Sequence, residues 1–227
     1  MCSDQLSPTV RSMHVLAEHV LGAGLYAVTG HIGLAVAPGG FGTPVDAVDE
    51  LGGRWSVADG VLVLDRADGA RHEAPITTVR SAAAFFGATA GMPATVYQPV
   101  TPFEPDASLA VDRAVAERIG AWLALGAEAL AELAGAHVDD GPTAATLWPE
   151  HFDLGLSLGE VNYGVSPGDD DHAEPYLYVG PWSPRSGEFW NEPFGASVGA
   201  PAIGSVADAM AFFEQGRARA AAKEQLP

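Results

Sequence analysis

Cysteine is almost missing from this chain. Cys2 stands alone, so no intrachain disulfide can form and no cysteine-based metal cluster can be built. A chain without disulfides suits a reducing compartment, and the expected location is cytoplasmic. Basic residues are scarce as well: 11 Lys and Arg stand against 29 Asp and Glu, a formal charge of −18. Such a surface repels phosphate backbones and anionic lipids, which sets aside nucleic acid and membranes as partners. A cation or a neutral small molecule meets no such barrier. Long apolar runs are lacking too. Residues 13–30 are interrupted by His14, Glu18 and His19, and the stretch before them carries Asp4 and only Arg11 as a cation, the wrong charge for a signal peptide. No other stretch reads as long and apolar enough to span a bilayer. Several catalytic motifs are missing. The glycine-rich run 38–44 has no Gly-Lys-Ser/Thr, so it reads as a turn or mobile flap rather than a phosphate loop. No His-Glu-x-x-His helix occurs.

What is present is enough for one large domain or two small ones with real cores: 227 residues, 48% of them hydrophobic. Ser7-Pro8 is a helix start, and Val10, Met13, Ala17, Val20 and Leu21 follow at helical spacing, with an end expected near Gly22 or Gly24. Residues 32–36 read as extended, and Pro38-Gly39-Gly40 as a turn. Residues 53–80 read as a β-meander with turns at Asp59-Gly60 and Asp68-Gly69, a strand over 76–79 and a short helix over 81–86. Residues 87–108, rich in Gly, Pro and Thr, are the linker candidate. Asp106 or Ser108 then caps a long helix over 108–134, with Val115, Ile119, Trp122, Leu130 and Leu133 as its buried stripe and Gly135 as its end. Alternation marks strands at 152–158, 161–165 and 176–179. Ser205-Val206-Ala207-Asp208 opens a last helix carrying Met210 and Phe213, and the tail after Gly216 is expected to fray. The expected class is therefore α+β: antiparallel sheet packed against a long central helix and two flanking helices. It is one domain, or two similar subdomains meeting near residues 90–106. Residues 35–39 echo 164–168, a weak hint of duplication.

Chemistry concentrates in residues 147–182. In a strand, His151 and Asp153 share a face, which suits a general base with its orienting acid. In this catalytic reading His151 carries the proton. The loop 168–175 holds Asp169, Asp170, Asp171, His172 and Glu174, oxygen ligands of the kind a hard cation takes, although it lacks the calcium-loop pattern. A divalent metal held by His151, Asp153, Asp169 and Glu174 is thus an alternative, and strand pairing would bring the ends of 152–158 and 161–165 together. Aromatics crowd the same span, and Trp148, Tyr163, Tyr176 and Trp182 are the expected walls of a small-molecule pocket. In the first helix, His14 and Glu18 are four residues apart, and a partly buried His14 bonded to Glu18 is expected.

Leu147-Trp148-Pro149-Glu150-His151-Phe152-Asp153, Ser166-Pro167-Gly168-Asp169 and Pro175-Tyr176-Leu177-Tyr178-Val179 together resemble a bacterial family of unknown function with Leu-Trp-Pro-x-His-Phe-Asp, Ser-x-Gly-Asp and Pro-Tyr-x-Tyr-Val motifs. The resemblance covers roughly the last third of the chain well and the glycine-rich segment 33–44 loosely. It implies that these segments belong together and brings no reaction with it. Many members carry His where this chain has Glu150, so a site with two adjacent histidines is not implied. Three functional readings stay open: a small-molecule-binding protein or enzyme, a divalent-metal protein, and an acidic interaction protein.

Overall fold

Ser7 starts the first helix as its spacing predicts, its hydroxyl accepting from the Thr9 amide at 3.3 Å. The computed structural model describes residues 6–222, and Cys2 lies outside the described residues. The helix does not stop at Gly22 or Gly24. It runs as α1 (Pro8–Leu16), a π-helical segment (Ala17–Gly22) and α2 (Ala23–Thr29), and ends at Gly30 in the left-handed conformation. Gly24 serves packing rather than termination: a Cβ there would lie 2.5 Å from the Trp55 ring.

The first sheet is an antiparallel meander of β1 (Ala35–Ala37), β2 (Gly40–Gly42), β3 (Gly53–Ala58), β4 (Val61–Arg66) and β5 (Arg71–Pro75), with the short α3 (Val48–Leu51) between β2 and β3. Asp59 and Gly60 both take positive φ, the backbone that a two-residue hairpin turn requires. The glycine-rich run is no flap. Its Phe41 is fully buried in β2, which pairs with β1 and β3. Residues 76–79 are not a strand, because Thr78 and Ser81 form a capping box that opens α4 (Val79–Phe86).

Residues 87–108 are tied to the fold by hydrogen bonds. The Gly91 amide bonds to the His19 carbonyl, and the Leu109 amide bonds to Thr77. Arg80 holds both oxygens of Asp106, and Ser108 bridges to Thr78. With those two residues engaged, Asp112 caps the long helix instead, and α5 spans Arg113–Ala136. Ile119, Trp122, Leu130 and Leu133 are buried on it, whereas Val115 is only partly covered.

The second sheet is another antiparallel meander: β6 (Thr146–Trp148), β7 (Asp153–Leu158), β8 (Val161–Ser166), β9 (Tyr176–Pro181) and β10 (Ala196–Gly199). The last strand has no signal in the sequence reading. Ser205 caps α6 (Val206–Ala221), which continues past Gly216 because that residue packs against Val179 of β9.

The sheets meet edge to edge where Leu34 and Leu147 exchange two backbone hydrogen bonds of 2.8 and 2.9 Å. Strand order runs outward from this bridge in both directions, β1 to β5 and β6 to β10. Each half thus has a helix, a five-stranded meander and a helix. The echo between 35–39 and 164–168 does not mark this repeat, since it falls on the first strand of one sheet and the third of the other. Helix α5 crosses both sheets, with Gly120 against the backbone of Gly39 and Gly40 and Gly126 against Val165. By length and composition α5 is apolar enough to cross a membrane, contrary to the sequence reading. Here its apolar stripe packs on the sheets, and its exposed face carries Glu117, Glu128 and Glu132.

Candidate functional site

Alternation along the second sheet decides which side chains are available. Leu154, Leu156, Leu158, Val161, Tyr163, Val165, Leu177 and Val179 turn to the core. Asp153, Asn162, Ser166, Tyr176, Tyr178 and Gly180 turn to the other face and line a cavity of about 1010 Å³. The opposite wall comes from α1, including Arg11, Ser12 and His14, and from the loop at residues 100–109.

Two carboxylate–phenol pairs stand on this face. Gly155, Gly164 and Tyr178 are successive neighbours across β7, β8 and β9. With no side chain on Gly164, the Tyr178 ring lies against the sheet: a Cβ at Gly164 would sit 2.2 Å from the ring. This posture carries the Tyr178 hydroxyl over Gly155 to donate to Asp153 Oδ2 at 2.5 Å. The Tyr176 hydroxyl donates to Asp169 Oδ2 at 2.6 Å. Asp169 Oδ1 accepts from the amides of Asp171 and His172, which orders the acidic loop. Arg11 reaches Asp170 at 2.9 Å, and His172 reaches Glu192 at 2.9 Å.

Burial raises the Asp153 carboxyl above the usual carboxylate range. The Tyr178 hydrogen bond and the nearby His151 oppose that shift, while Glu150 adds to it. Burial and the Asp153 charge push the Tyr178 phenol well up, and burial with the Asp169 hydrogen bond does the same for Tyr176.

The turn between β6 and β7 aims the site. Phe152 adopts φ +51°, a strained backbone for a bulky residue. Its ring is fully buried, edge-on to Phe41 and stacked under His14 with centroids 5.7 Å apart. Burial lowers the His14 pKa, so the ring is neutral near pH 7. Three buried polar atoms without hydrogen-bond partners belong to residues on the cavity wall: His14 Nε2, Glu150 Oε2 and Asp153 Oδ1. Buried polar atoms are normally paired, so this concentration is unusual.

The loop wall is held from behind by the π-helical segment. Glu18, fully buried, accepts from the amides of Val100 and Thr101 and from the Thr101 hydroxyl, at 2.9, 2.8 and 2.6 Å. His19 Nδ1 accepts from the Met92 amide, so its Nε2 carries the proton donated to the Thr101 carbonyl at 3.0 Å. Glu18 therefore serves the loop and not His14. Their spacing of four residues gave no sign of this, because the partners lie about 80 residues away.

The structure redistributes the expected site residues. Tyr176 and Trp182 do line the cavity. Trp148 lines a smaller depression of about 540 Å³ beside it, which shares Glu150, His151, Asp153, Asn162 and Tyr178 with the larger one. Tyr163 is no wall at all: it lies on the core face, edge-on to Phe213, and burial pushes its phenol up to about 12. His151 and Asp153 do not share a strand face, since Phe152 breaks the extended backbone. His151 is exposed in the turn, and Tyr178 rather than His151 bonds to Asp153. The metal set is not assembled. Asp169 is spent on two amides and Tyr176, Glu174 is not on the cavity wall, and among the described residues no three His, Cys, Asp or Glu side chains converge in metal-binding geometry. Sequence reasoning missed Tyr178 as the partner of Asp153, His14 as a wall residue and Glu150 as an unpaired acid. Glycines inside two adjacent strands were the one signal of a close approach. The chain matches no protein-family model, no curated protein and no solved structure.

Proposed function

We propose that this protein binds a small molecule in the cavity over the open face of β7 to β9. The observation that carries the reading is a set of three unpaired buried atoms on residues that line the cavity: His14 Nε2, Glu150 Oε2 and Asp153 Oδ1. Leaving such atoms unpaired costs stability, and a ligand that bonds them recovers it. The volume suits a metabolite-sized ligand, and Tyr176, Tyr178, Trp182 and Phe194 offer aromatic contact area. The motif residues that carry the family resemblance support the reading, because His151, Asp153, Ser166, Asp169, Tyr176 and Tyr178 all line the cavity. A catalytic version has one observation in its favour: Asp153, with its raised pKa, is a carboxyl suited to proton transfer, and His151 lies at the turn beside it.

The test is a metabolite panel in thermal unfolding, with each hit located by amide chemical shifts. A ligand specific for the folded state raises the midpoint. The expected hits perturb Ser166, Asp169 and Tyr176 to Gly180. Hits that map consistently elsewhere overturn the proposal.

A further inference from the structure

Resting on that reading, we infer that the ligand is an organic cation with several N–H donors on one centre, an amine, amidine or guanidine, whose charged head sits against Asp153, Glu150 and His14.

Charge decides the sign. Glu104, Glu150, Asp153, Asp169, Asp170 and Asp171 line the cavity, and Arg11, the only Lys or Arg among its described lining residues, is already engaged with Asp170. An anion would enter against this field. Hydrogen-bond chemistry decides the rest. The open positions on Glu150 and Asp153 are carboxylate oxygens, which accept and cannot donate when ionised. The ligand must therefore supply N–H or O–H donors. A neutral alcohol supplies donors but leaves the enclosed Asp153 charge uncompensated, whereas an ammonium or amidinium does both. This is more than an acidic surface cluster, because Asp153 is an enclosed side chain with Oδ1 unpartnered. A bare divalent ion satisfies the charge but not the geometry, since no three ligating side chains converge among the described residues. The rings of Tyr176, Tyr178, Trp182 and Phe194 on the same wall suit a cation with an organic body, through contact area and cation–π attraction.

Benzamidine, benzamide and benzoate share a ring and differ in charge, which makes them suitable probes. Calorimetry on the full chain, with chemical-shift mapping, should show benzamidine binding in the cavity at least about tenfold more tightly than benzamide, about 1.4 kcal/mol, and benzoate not at all. Asp153→Asn should abolish the preference, keeping an acceptor for the Tyr178 hydroxyl. Glu150→Gln, on the turn between β6 and β7, is the second variant and should weaken benzamidine without affecting benzamide. Equal binding of benzamidine and benzamide inside the cavity overturns the cation and leaves the cavity reading standing. Failure of benzamidine, agmatine and putrescine alike at millimolar concentration also overturns the cation. If every probe that binds maps outside the cavity, the cavity reading itself falls.

Discussion

Asp153 shows how an enclosed carboxyl works against the stability of the fold that holds it. Its pKa is raised by burial, so the folded state holds the proton more readily than the unfolded chain does. Between the ordinary carboxylate pKa and the raised one, the folded state binds more protons, and stability falls as pH rises. Below both values the group contributes no difference; above both, the full penalty of the enclosed charge is present. The neighbours that share this environment are Tyr178 on β9, Glu150 and His151 on the turn, and His14 on α1. Asp153→Asn removes the charge while keeping an acceptor for Tyr178. Urea unfolding should find the variant gaining on the wild type as pH rises, with the largest gain above the raised pKa; a gap that shrinks toward alkaline pH refutes the assignment. Gly164 is the companion case. In Gly164→Ala the new Cβ meets the Tyr178 ring 2.2 Å away, so the ring must leave the sheet and the hydroxyl must leave Asp153. Overpacking of this kind costs about 1–3 kcal/mol, readable as a lowered urea midpoint, and the variant should also lose cavity ligands.

At the scale of elements, legibility followed the range of the interaction. The strands at 153–158 and 161–166 were readable because a period of two with Gly159-Glu160 between them is a local pattern. Ser7, Ser205 and the Asp59-Gly60 turn were readable for the same reason. The start of α5 was misplaced because tertiary contacts to Arg80 and Thr78 took the two local candidates, Asp106 and Ser108. The His151–Asp153 face argument failed on a single torsion, the left-handed Phe152, which no residue type announces. The segment at 91–103 shows the limit most clearly. Its composition reads as a linker, yet Glu18 and His19 grip it from the π-helical turn of the first helix. Such π turns recur at functional sites, and here one places two consecutive polar residues in the interior. Glu18→Gln keeps the shape but turns an N–H group toward donors that need an acceptor. The expected loss is about 1–3 kcal/mol, with faster hydrogen exchange at Val100 and Thr101 and protease cleavage within 91–103. Unchanged protection at those two amides would show that the clamp does not hold the loop.

For the molecule as a whole, the question is whether two similar halves behave as one cooperative unit. They share little sheet: the Leu34–Leu147 exchange joins them by one bridge. What couples them is α5, which lies on β1, β2 and β3 through one stretch and on β7 and β8 through another. The close approaches are at Gly120, beneath the Gly39 carbonyl, and at Gly126, against the Val165 side chain. The cavity depends on the same coupling, because α1 and the 100–109 loop form one wall while the second sheet forms the other. A helix shared in this way has no stable position if either sheet melts, so both should unfold in one transition. Gly126→Ala tests this, since the three atoms nearest the added methyl all belong to Val165 of the second sheet, the first of them 2.2 Å away, and the change should cost about 1–3 kcal/mol. Native-state hydrogen exchange should then show amides of β3 and β4 losing the same protection as those of β7 and β8, although the clash is with Val165 of the second sheet. Loss confined to β7, β8 and β9 would mean that the halves open separately, and that the cavity between them opens whenever one of them does.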